Sequence, residues 1–161
     1  MFLRDHTLTV SLRGASILGP PVDDFFDFYA GGLVGMRGYP FYSLGGNELF
    51  VLGLAYRFPL IRNIDVRILH LYFDKLYASV FGDIGDAWTG PMPSLSEFKR
   101  DAGVELRLES FSFYSYPPRI FLSGTYGFDR FTRDFATLGE TVRYGGEWQV
   151  HFGVLFGFDV E

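Results

Sequence analysis

The segment EWQVHFGVLFGFDVE, Glu147–Glu161, alternates side-chain character along nearly its whole length. Trp148, Val150, Phe152, Val154, Phe156, Phe158 and Val160 share one parity. Glu147, Gln149, His151, Gly153, Leu155, Gly157 and Asp159 share the other. Successive side chains of a β-strand point to opposite faces, so the pattern gives one large apolar face and one small or polar face. A helix would mix the two sets on one surface. A chain written this way folds as sheet.

Five further segments carry the same signature. Leu8, Val10 and Leu12 oppose Thr7, Thr9, Ser11 and Arg13. Phe50, Leu52, Leu54, Tyr56 and Phe58 oppose Val51, Gly53, Ala55 and Arg57. Leu76, Ala78, Val80 and Ile84 oppose Lys75, Tyr77, Ser79, Phe81 and Asp83. Val104, Leu106 and Leu108 oppose Gly103, Glu105, Arg107 and Glu109, while Ile120, Leu122, Tyr126 and Phe128 oppose Phe121, Ser123, Thr125 and Asp129. The spacing predicts six strands, near residues 6–17, 48–58, 74–84, 100–112, 119–129 and 147–160. No segment has a convincing helical period, and 20 glycines argue against long helices.

The connectors are long at 18–47, 85–99 and 130–146 and short at 113–118; that at 59–73 holds IDVRILHLYF, a stretch suited to extending the flanking strands. An up-and-down antiparallel meander with one elaborate rim is expected. Outer-membrane barrels have this asymmetry of loops.

The 161 residues suffice for one domain. Cysteine is absent, which excludes disulfides and thiolate chemistry. The 14 Lys and Arg are dispersed in a chain of net charge -5, so nucleic acid is not an expected partner. No run of 18 apolar residues marks a membrane helix. The start, MFLRDHTLTV, lacks a signal-peptide pattern. For an exported protein, this raises the expectation that the chain is a fragment of a longer product.

Two folds compete for the alternation. In a soluble sandwich the large face is the core; in a membrane barrel it meets lipid, and the small polar face lines a wet lumen. Strands of this length suit a tilted crossing, which needs roughly 9–11 residues. Aromatics crowd the strand ends at Phe58, Tyr72, Phe73, Trp88, Phe111, Phe113, Tyr114, Tyr116 and Trp148, as in an interfacial girdle. Six strands cannot close alone, since known membrane barrels begin at about eight.

Three motifs then stand in order: FYAGGLVGMRGY at Phe28–Tyr39, LGGNELFVLGLAYRFPL at Leu44–Leu60 and ASVFGDIGDAW at Ala78–Trp88. In them the chain resembles the C-terminal part of the bacterial surface-antigen, or BamA-like, family of sixteen-stranded outer-membrane barrels. The resemblance covers nearly the whole chain. It implies that residues 1–161 form the last six strands of such a barrel, in the bacterial outer membrane, with 18–47 as a loop folded into the lumen. The loop hallmark of the family is Val-Arg-Gly-Phe/Tyr; here it reads Met36, Arg37, Gly38, Tyr39. The resemblance implies that Arg37 is a pin seated on Asp83, with Tyr39 wedged beside it. A second acid, found in some members, is replaced here by Ala55.

The final strand offers a further likeness. His151, Gly153, Phe156 and Phe158 are similar to the signal by which such barrels are recognised for insertion, although Asp159, Val160 and Glu161 follow where a terminal aromatic is usual. An exposed last strand with one apolar face is suited to augmenting another sheet edge.

The residues offer no catalytic pattern. His6, His70 and His151 lie apart without metal-ligand spacing. No Gly-x-Ser-x-Gly elbow occurs, and YAGGLVG is followed by no Lys-Ser/Thr. Glu105 and Glu109 on one strand stand roughly 13 Å apart, beyond the ~5–9 Å of paired carboxylate catalysis. No enzyme and no cofactor are expected. The resemblance implies an assembly or translocation function, with client polypeptides or assembly subunits as partners beside lipid and upstream strands. The alternatives are a passive outer-membrane anchor or export pore for an upstream soluble domain, and a soluble antiparallel β binding domain.

Overall fold

A computed structural model describes residues 5–19, 24–33, 35–112, 117–135 and 140–156. In chain order the strands are β1 (Thr7–Ser16), β2 (Phe28–Tyr29), β3 (Gly45–Gly46), β4 (Glu48–Ile61), β5 (Val66–Ile68), β6 (Leu71–Trp88), β7 (Lys99–Ser112), β8 (Pro118–Gly127), β9 (Phe131–Phe135), β10 (Glu140–Tyr144) and β11 (Trp148–Phe156). The main sheet runs β1-β4-β6-β7-β8-β11, every pair antiparallel, with β5 also on β6. This is the expected meander. It is open: β1 and β11 form opposite edges.

The six long strands fall where the alternation puts them, with altered ends. β6 runs from Leu71 to Trp88, well beyond 74–84 at both ends. Its start takes in part of IDVRILHLYF, which also supplies β5, so the stretch does extend the wall. β4 continues to Ile61, and its register shifts between Pro59 and Ile61. Its partner β1 has already ended at the Thr7–Arg57 pair, so no β1 carbonyl faces Pro59 in need of its missing N–H. A second shift, between Phe73 and Lys75, bulges β6 at Asp74, whose carbonyl accepts from Ile64 N at 2.8 Å.

The 130–146 connector is more than a loop. It holds the β9–β10 hairpin, joined by pairs from Tyr144–Phe131 to Glu140–Phe135. The connector 17–47 folds back over one face of the sheet, tied by the short β2–β3 pair. Three connectors (17–47, 89–98 and 128–147) leave one end of the wall, hereafter the loop end; those at 62–70 and 113–117 leave the other, the turn end.

Burial is distributed against the usual order. On one face Leu8, Val10, Leu12, Leu52, Leu54, Val80, Val104, Leu106, Leu122, Val150 and Phe152 are exposed, Val150 by 70% and Phe152 by 71%, and Phe50, Tyr56, Leu76, Leu108 and Ile120 partly so. On the opposite face Ser79, Asp101, Glu105, Ser123 and Thr125 are buried, Ser123 with 1% and Thr125 with 0% exposure. The folded-back loop covers that inner face. Its Ala30, Met36, Tyr39 and Leu44 make a small core with Val51 and Ala87, flanked by Leu49 and Phe131.

Candidate functional site

The site is the seat of the loop on the inner wall. Near its tip the chain reverses tightly: Gly32 N donates to the carbonyls of Tyr39 (2.9 Å) and Met36 (3.2 Å), and Met36 N donates to Ala30 O at 2.8 Å. Gly32 has φ +95°, a left-handed geometry that glycine accepts without strain. The fold presents residues 36–39 to the wall, each in a different role.

Gly38 makes the closest approach. A Cβ there would stand 2.6 Å from Asp101 Cβ and 2.9 Å from Gly127 N, so only glycine lets the backbone lie this close against the paired Asp101 of β7 and Gly127 of β8. Its N–H donates to Asp101 Oδ2 at 2.7 Å. Met36 is fully buried in the loop core. Tyr39, with 0% exposure, turns toward the loop end. Its hydroxyl accepts from Asp129 N at 3.0 Å and reaches the carbonyls of Arg100 (2.9 Å) and Asp129 (3.2 Å), to one of which it donates. Burial, reinforced by the Asp129 and Asp101 charges against partly offsetting hydrogen bonds, pushes its pKa up to about 12. Its ring leans on Phe131 at 5.7 Å. Tyr39 is therefore a clasp to β7 and the β8–β9 connection, not a wedge beside Arg37.

Arg37 runs the other way, and its seat differs from the expected one. Its guanidinium lies over the Phe81 ring at 4.1 Å and Nη1 donates to Glu105 Oε2 at 3.0 Å. No ion pair joins it to Asp83 among the described residues. The correction follows from register. Asp83 is paired with Asp101, the row on which Gly38 rests; Phe81 pairs with Gly103, and Ser79 with Glu105. The arginine side chain extends from the Gly38 row across Phe81 and ends two rows on, at Glu105. Gly103 makes the path possible, because a Cβ there would stand 2.8 Å from the Phe81 ring.

Glu105 takes a second cation, with Arg107 Nη2 donating to its Oε1 at 2.6 Å. Asp83 stays in the neighbourhood, within electrostatic reach of Arg37 and Arg13. A cleft of about 250 Å³ opens beneath the tip, lined by Leu33, Arg37, Glu105, Arg107, Phe121 and Leu155. Arg107 Nε, Ser123 Oγ, Thr125 Oγ1 and His151 Nδ1 are buried on this wall without a hydrogen-bond partner in the structure.

A second tether comes from the β9–β10 hairpin. Arg133 Nη1 donates to Tyr42 O at 2.8 Å and Ser43 O at 3.4 Å. Beside it Asp129 receives Arg100 in a fork, Nε to Oδ2 at 3.1 Å and Nη2 to Oδ1 at 2.8 Å, plus Arg100 N at 2.8 Å. These bonds hold the Asp129 carboxyl below its usual range.

Sequence reasoning placed Glu105 and Arg107 on the wet wall without linking them to Arg37. It missed Asp101, Phe81 and Arg133. A glycine facing an aromatic on the neighbouring strand, as Gly103 faces Phe81, was the available signal for a close approach.

Of the terminal-strand residues, His151 and Gly153 face inward and Phe156 outward. Gly153 seats the Phe121 ring, 2.7 Å from where a Cβ would stand. Phe156 is exposed. Phe158, like Phe113, Tyr114 and Tyr116, lies outside the described residues. No helix among the described residues is long and apolar enough to cross a membrane, which says nothing of strands. Comparison with protein-family models, with curated proteins and with solved structures found no match.

Proposed function

We propose that the chain is part of the wall of a bacterial outer-membrane β-barrel of the protein assembly or translocation class, with the 17–47 loop packed into its lumen. One observation carries the membrane reading: the exposed face is the large apolar one, and the buried face holds serine, threonine and carboxylates beside Val51, Phe81 and Phe121. A sheet in water does the reverse, because burying apolar area is its main source of stability. Lipid removes the contradiction. The outer residues then meet hydrocarbon, and the inner ones meet a polar lumen and the loop.

Dimensions support the reading. On the outer face of β4, aromatics stand at Phe50 and Phe58, and on β11 at Trp148 and Phe156. Each pair is eight residues apart, roughly 27 Å along the strand and about 20 Å in height at a tilt of about 40°, within the apolar band of about 25 Å that two aromatic girdles flank. The likeness of the RGY and GDIG segments to the surface-antigen family supports the assembly class. So does β11, an unpaired edge with a polar inner and an apolar outer face, suited to pairing with an incoming strand. No catalytic role is proposed.

The test uses the full-length protein in a bacterial host, with single cysteines at Gln149 and Val154. The protein should fractionate with the outer membrane and require detergent for extraction. The cysteines should cross-link to newly made outer-membrane barrel strands or to secreted polypeptides. Membrane location without any such cross-link would sink the assembly role and leave a passive anchor. Extraction in buffer alone would sink the membrane reading.

A further inference from the structure

We propose that Arg130, Thr132 and Arg143 form a binding site for the phosphate of an anionic lipid headgroup, in the leaflet that meets the loop end of the wall. The proposal rests on the membrane-wall reading.

Position comes first. On β9, Phe131 touches Tyr39 and Arg133 holds the loop carbonyls, so this parity faces inward. Thr132 has the opposite parity, is exposed, and is the cross-strand partner of Arg143, also exposed. Arg130 is exposed as well, and the three, with Phe131, line one shallow cleft of about 250 Å³. The Arg130 guanidinium lies across the turn at Gly146; a Cβ there would stand 2.3 Å from its Nε. Gly146 has φ +73°, so both its conformation and the arginine laid over it favour glycine.

Height comes second. Directly below lies a cluster of outward rings, Tyr126 against Phe128 and Trp148 at 5.5 Å each. Such rings settle at the edge of the hydrocarbon. Arg130 is two residues beyond Phe128, at most about 7 Å along the chain. The headgroup layer is about 5–7 Å deep on each side of the core. The guanidiniums therefore stand where headgroup phosphates lie.

Charge comes third. Neighbouring cations at this end are neutralised: Arg100 by Asp129 and Lys99 by Asp86. Arg130 and Arg143 have no carboxylate partner among the described residues. Two forked, permanently charged donors and a hydroxyl around one shallow cleft match the three oxygens of a phosphomonoester.

The experiment reconstitutes the full-length protein in vesicles of phosphatidylcholine alone or with phosphatidic acid, and follows the half-time of thermal unfolding. Phosphatidic acid should lengthen that half-time about tenfold for the parent, the scale of one charge-assisted hydrogen bond. The R130Q/R143Q variant should insert normally and unfold at the parent's rate in phosphatidylcholine, but lose the lengthening. An R130K/R143K variant should retain part of it. Equal lengthening in the glutamine variant overturns the site. Equal protection by inorganic phosphate in pure phosphatidylcholine overturns the lipid as its source. Insertion of the parent without any effect of phosphatidic acid overturns the proposal and leaves the wall reading standing; failure of the parent to insert in either vesicle overturns both.

Discussion

Arg37 and Glu105 are unequal partners. Glu105 receives two guanidiniums, from Arg37 at 3.0 Å and Arg107 at 2.6 Å, with little exposure of its own. Glu105→Ala leaves two facing cations and should cost about 3–5 kcal/mol. Arg37→Ala leaves Glu105 with Arg107 and should cost less, about 1–3 kcal/mol. A double-mutant cycle separates this seat from the expected one: Arg37 should couple to Glu105 by about 0.5–3 kcal/mol, and less to Asp83. Thermal unfolding in detergent measures both, and stronger coupling to Asp83 would reject the Glu105 seat. Tyr39 gives a pH signature at the same scale. Its folded pKa of about 12 lies above its ordinary 10.0, so the folded state holds the proton more tightly. The stability it contributes is full below pH 10 and declines as pH rises toward 12. Tyr39→Phe should cost about 1–3 kcal/mol at neutral pH and flatten that alkaline decline. An unchanged alkaline profile in the variant would show that another group controls it.

At the scale of the element, the two faces of each strand predict opposite responses to charge. Leu106 on β7 is 43% exposed and faces outward. In water Leu106→Arg would change stability little. At the level of hydrocarbon it should cost about 2–4 kcal/mol, read as lost folded protein in vesicles. A neutral result there would contradict a lipid-facing β7. This parity was legible in the sequence because Val104, Leu106 and Leu108 alternate with Glu105 and Arg107 without a break. The hairpin β9–β10 was not. Its strands have five residues each, and Arg133 interrupts the inward aromatics, so the period ends before it stands out. β5 has three residues and carries less signal still. The partner of Arg37 was hidden for a different reason. Asp83, Asp101, Glu105 and Glu109 all share the inner face, so alternation narrows the choice to a set. Which one is reached depends on how deep the loop descends, and that is fixed by Gly38 against Gly127 and Asp101, a contact between distant segments.

At the scale of the molecule, the six long strands make a wall with two open edges. β6 and β7 each have partners on both sides; β1 and β11 each have one. Every side chain of β1 but that of Ala15 is exposed, so neither face of that strand is covered. In hydrocarbon each unpaired backbone group costs several kcal/mol, so the wall is stable only when further strands meet both edges. Amide hydrogen exchange makes the point measurable, because local opening is easiest where backbone hydrogen bonds are least covered. In detergent, residues 1–161 alone should show rapid exchange in β1 and β11 and slow exchange in β6 and β7. The full-length protein should bring β1 to the protection of β4, since a closed barrel removes that edge. β11 should remain the less protected of the two, because the proposed role needs a seam that opens to a client strand. Equal, strong protection of β1 and β11 in residues 1–161 alone would mean that the edges pair with each other or with a second copy. The edges would then be satisfied without further strands of the same chain, and the strand-pairing role proposed for β11 would lose its physical basis.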